Sequence, residues 1–108
     1  MTYKLLILAQ SRNEARDWAR ENGMHWRDYV IATPYWSSSP LRGYSFSKYQ
    51  IVGAPIFLDG QIESLILKFA SSEENLGTYR RMVEELGERK AAYAKKREEY
   101  AEHTRLAS

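Results

Sequence analysis

Seven residues near the start of the chain, Tyr3-Lys4-Leu5-Leu6-Ile7-Leu8-Ala9, form a short, almost wholly apolar run closed by a polar turn. Such a run suits a strand covered on both faces, and strands of that kind belong to parallel sheets with helices packed above and below. The residues that follow supply the return path. Ser11 and Glu14 have capping-box spacing, Ala15, Trp18 and Ala19 repeat at helical spacing, and Gly23 stands where a left-handed helix cap wants glycine. This predicts a helix over residues 12–22, then a second strand at Tyr29-Val30-Ile31-Ala32. Residues 1–32 therefore read as a βαβ unit, whose crossover is right-handed in nearly all proteins.

Lys48-Tyr49-Gln50-Ile51-Val52 reads as a third strand, closed by Gly53-Ala54-Pro55. Ile62, Leu65, Ile66 and Phe69 fall at i, i+3, i+4 and i+7, which predicts a helix over residues 60–70 with Asp59 as its cap. A fourth strand through Leu65-Ile66-Leu67 is the alternative, because periodicity does not decide a short apolar run. From Ser71 the composition shifts to Glu, Lys, Arg, Ala and Tyr. Ser71 and Glu74 suggest a second capping box, and no proline follows, so one helix is expected to run to about Arg105, with Gly77 and Gly87 as its weak points. Heptad spacing puts Tyr79, Leu86, Tyr93 and Tyr100 at one core position and Leu76, Val83, Lys90, Arg97 and Thr104 at the other. Only the first half of that stripe is apolar. The first half should dock, and the second should project or meet a partner through Tyr93 and Tyr100.

The expected fold is thus α/β: a small Rossmann-like three-layer sandwich with a short parallel sheet of order 2-1-3. Residues 1–70 make the α/β domain and residues 71–108 the long C-terminal helix. With 108 residues the chain buries one modest core. The absence of cysteine removes disulfides, thiolate catalysis and cysteine-rich zinc sites, and makes a cytoplasmic setting the expectation. The apolar run is too short to span a bilayer, so no membrane association is expected. Net charge is only +2, with eight basic against six acidic side chains in residues 1–70 and eight against eight thereafter. Neither part is a polyelectrolyte, and charge alone does not argue for nucleic acid.

In a parallel sheet, ligands sit at the carboxyl edge of the strands near the point where strand order reverses. The segments expected there are residues 10–13, 33–47 and 53–59. Ser11, Arg12 and Asn13 open a helix and make a candidate anion site, although a cap that binds nothing is the commoner role. No metal site is expected: His25 and His103 are far apart, and only Glu99 precedes His103 at ligand spacing, where an ion pair is the simpler reading. Ser37-Ser38-Ser39 lacks the turn that exposes a nucleophile, and no cofactor is expected. Residues 33–47 form the richer segment. Tyr35, Trp36, Tyr44 and Phe46 interleave with Arg42 and Lys48, a mixture that suits a protein interface or the stacking of bases beside phosphates.

Val30-Ile31-Ala32-Thr33-Pro34, then Leu41-Arg42-Gly43, then Tyr49-Gln50-Ile51-Val52 resembles the middle of a RecA-like P-loop ATPase domain of helicases and phage terminases. That family has a strand ending in Thr-Pro, a loop, and a strand ending in acids that hold magnesium. Here Gly53 and Ala54 stand where the acids belong, and no glycine-rich loop ends in Gly-Lys-Ser/Thr. The resemblance implies the scaffold of such a domain without its hydrolytic parts, of the kind a small bacteriophage accessory protein acting on a host protein would carry. The leading expectation is a non-enzymatic module that binds a protein partner, or another copy of itself through the last helix. Nucleic-acid binding through the aromatic loop comes second, and nucleotide or phosphate binding at residues 11–13 third.

Overall fold

The computed structural model describes residues 3–35 and 44–107. Three parallel strands, β1 (Tyr3–Ala9), β2 (Tyr29–Ala32) and β3 (Ser45–Val52), form a sheet in the order β2-β1-β3. Helix α1 (Arg12–Glu21) covers one face, where Ile7 and Ala9 meet Ala15 and Ala19. The other face carries Leu6, Leu8, Phe46 and Ile51, packed against α2 (Asp59–Ser64), α3 (Ile66–Phe69) and α4 (Glu73–Ala107). Strand β1 is central and alternates between the two cores. Leu6, Ile7, Leu8 and Ala9 are all fully buried, as a strand covered on both sides requires.

Strand β3 begins three residues earlier than the pattern suggests. Tyr3 pairs with Ser45 and Lys4 with Phe46, yet Leu5 pairs with Lys48, so Ser47 is an extra residue at a register shift. That irregularity turns Phe46 to the same face as Tyr49 and Ile51, against strict alternation. Gly53 then ends the strand at φ +67°, with open space around a would-be Cβ. Gly53→Ala should therefore cost only the left-handed backbone penalty, about 1–2 kcal/mol in urea melts.

Residues 59–69 form two short helices that meet at Leu65, which rules out the fourth strand. Leu58, not Asp59, is the cap residue, and its N–H donates to Gln61 Oε1 at 2.9 Å. In α4 the cap is likewise shifted by one: Asn75 N–H donates to Ser72 Oγ at 3.1 Å, while Ser71 Oγ accepts from the Asn75 side chain. The helix runs unbroken through Gly77 and Gly87. Its first half docks, but through Asn75, Thr78, Met82 and Leu86, which are buried, with Leu76, Tyr79 and Val83 only half-buried beside them. No helix of the described residues is long and apolar enough to cross a membrane.

Candidate functional site

Parallel strands deliver the turns after β1 and β3 to one edge, and α4 arrives there too. Tyr49 Oη donates to Glu85 Oε2 at 2.8 Å, and Arg89 donates to Glu85 Oε1 at 3.2 Å and to the Gly53 carbonyl at 2.7 Å. Residue 85 is thus level with the body of β3 and residue 89 with its end, so α4 runs the same way as β3. Beyond Arg89 it passes the carboxyl edge. Every residue from 90 to 102 is exposed.

The first turns of that outgoing segment close a recess against the edge. Gln10 and Glu14 line it on one side, Ala54 and Ile56 on another, and Tyr93 on the third, around about 430 Å³. Gln10 holds the floor in place by accepting the Ile56 N–H at 3.0 Å. A second recess of about 290 Å³ adjoins it, bounded by Ile56, Lys90, Tyr93, Ala94 and Arg97. Ile56 and Tyr93 serve both. Aliphatic and aromatic walls with polar groups at the ends suit a side chain offered by another helix.

Two tyrosines tie α4 to the body, and both are held neutral. Burial, followed by the hydrogen bond to Glu85 and that carboxylate's charge, pushes Tyr49 up to about 12. Burial, then the charge of Glu63, raises Tyr79, whose hydroxyl donates to the Ile62 carbonyl at 3.0 Å. A tyrosine whose folded pKa lies above its unfolded value contributes stability that is complete below pH 10 and lost as the pH climbs through about 12. Absorbance titration at 295 nm should show late-ionising tyrosines in the wild type and one fewer in Tyr49→Phe.

The expected binding residues are not all brought together. A crossover between parallel strands leaves the carboxyl end of β2 and must return to the amino end of β3. Tyr35, 84% exposed, accordingly lies just past β2, whereas Tyr44 lies at the opposite end of the sheet, where Lys4 Nζ sits 4.8 Å above its ring. Tyr35 and Tyr44 therefore do not share one patch at the carboxyl edge. Phe46 is not a surface residue either: it is fully buried against Phe69, with ring centroids 6.0 Å apart. Lys48 is exposed on β3, while Trp36 and Arg42 lie outside the described residues. Ser11 caps α1 by accepting the Glu14 N–H at 3.3 Å, and Arg12 and Asn13 are exposed beside it. Tyr93 and Tyr100 project from α4, 43% and 75% exposed. Among the described residues, no group of three or more His, Cys, Asp or Glu is placed to hold a metal ion.

Sequence reasoning passed over Tyr49, Glu85, Arg89 and Ile56. The i, i+4 spacing of Glu85 and Arg89 was the one signal available for them. Comparison with family models, with curated proteins and with solved structures finds no match.

Proposed function

We propose that this protein is a non-enzymatic interaction module whose recognition element is the outgoing half of α4, together with the recess at its root. One observation carries the reading: α4 stays helical while every residue from 90 to 102 is exposed. A helical segment this short is marginal alone in water, and most helical stability in proteins comes from burying a face against something else. Here Tyr93 and Tyr100, one heptad apart, are the large hydrophobic side chains of that segment, and Tyr93 already borders the recess beside Ile56.

The charge order identifies the simplest partner. Lys95, Lys96 and Arg97 are followed directly by Glu98 and Glu99, with Glu102 beyond. In an antiparallel pair of such helices centred near Arg97, the basic block of each copy lies beside the acidic block of the other. Tyr93 of one copy then comes level with Tyr100 of the other. A second copy of this chain supplies that match without further assumptions.

Sedimentation equilibrium of the full chain tests the reading. A concentration-dependent dimer is expected, weakened at least about tenfold in the double variant Tyr93→Ala/Tyr100→Ala, as befits loss of two aromatic anchors. A monomer at every accessible concentration contradicts it.

A further inference from the structure

A second surface, which shares no lining residue with the recesses beside α4, follows the outer side of β2. The consecutive residues Tyr29, Val30 and Ile31 line one open groove of about 290 Å³, together with Lys4, Arg12, Arg16, Trp26 and Tyr44. Neighbours on a strand point to opposite faces, so a groove touching all three follows the strand's edge rather than either face. Arg12 and Arg16 reach it from α1 on one side of the sheet. Lys4 belongs to the other side, with Leu6 and Leu8.

Of the described residues, three cations border this groove and no acid does. Among the described residues, Lys4, Arg12 and Arg16 form no ion pair. Arg12, Arg16 and Arg20 also stand at i, i+4 and i+8 on α1, a row of like charges that opposes helix formation instead of supporting it. The groove is aromatic as well as basic. Trp26 is 66% exposed, with Arg27 stacked 5.1 Å from its ring.

We propose that this groove binds single-stranded nucleic acid, its phosphates along Arg12, Arg16 and Lys4 and a base stacked on Trp26. The cations reach the groove from opposite sides of the sheet, Arg12 and Arg16 from α1 and Lys4 from β1, and among the described residues no glycine-rich loop lines it. An extended polyanion fits that layout better than an isolated phosphate. Exposed indole beside arginine favours a ligand with flat π faces over an acidic peptide.

Fluorescence anisotropy of the full chain with labelled oligothymidylate and oligouridylate tests this and separates DNA from RNA. Binding should weaken with salt, with a log–log slope of about −2 for three phosphate contacts on a single strand. Arg12→Glu/Arg16→Glu should lose at least about tenfold in affinity. Trp26→Ala should lose about 5- to 160-fold and Trp26→Phe much less. Circular dichroism and melting of each variant separate loss of binding from loss of fold. Tyr93→Ala/Tyr100→Ala should bind as the wild type does, so this proposal and the α4 interface fail independently. No binding at low salt, binding indifferent to Arg12→Glu/Arg16→Glu in a folded variant, or equal displacement by polyglutamate, inorganic phosphate or duplex DNA would overturn it.

Discussion

Phe46→Ala is expected to remove about 3–5 kcal/mol of stability, the usual cost of deleting a fully buried aromatic ring. A chain of this size has about 5–15 kcal/mol in total, so the variant should lie near the edge of folding. The ring sits where the sheet, α3 and α4 converge. It packs on Phe69, which in turn packs on Tyr79 with centroids 6.0 Å apart. Removing it unsupports α3 and the docked half of α4 together. Urea denaturation should show a much lower midpoint, whereas Tyr35→Ala, at a position almost wholly in solvent, should stay within about 0.5 kcal/mol of wild type. If Phe46 lay on a binding surface, the two variants would behave alike.

Reversing charges on the outgoing helix should have the next largest effect. Lys95→Glu/Lys96→Glu puts acids at positions 95, 96, 98, 99 and 102, with Arg97 as the one base left among them, so two copies repel and self-association should fall at least about tenfold. Adding Glu98→Lys/Glu99→Lys to the same chain restores complementarity in reversed order. Sedimentation should then recover the dimer. Recovery in the fourfold variant separates specific pairing from a general effect of charge on the helix, because both variants alter only exposed positions and neither touches the core.

Much of the architecture was legible because β1 is covered on both faces and its apolar run says so. The capping serine and Gly23 bracketed α1, and the short β-branched segment at residues 29–32 located β2. What escaped depended on geometry that period alone does not encode. The extra residue at Ser47 turns Phe46 inward, so a ring that reads as part of an exposed aromatic loop becomes core. Heptad counting follows Leu76 and Val83, while the docked face is rotated toward Met82, because α4 packs on a sheet and two other helices and not on a single parallel partner. The anion-friendly start of α1 was visible as Ser11, Arg12 and Asn13. Its connection to Lys4, Arg16 and Trp26 was not, since those residues meet only once β2 takes its place at the edge of the sheet.

The proposed interface requires the outgoing half of α4 to be a docking element and not merely a long tail. Hydrogen exchange of the full chain, followed across protein concentration, examines this most directly, since amide protection reports local opening segment by segment. Residues 90–102 should be weakly protected in dilute solution and gain protection as concentration rises, while residues 75–86, anchored on the sheet, stay protected throughout. Equal exchange of residues 90–102 at every concentration would contradict it.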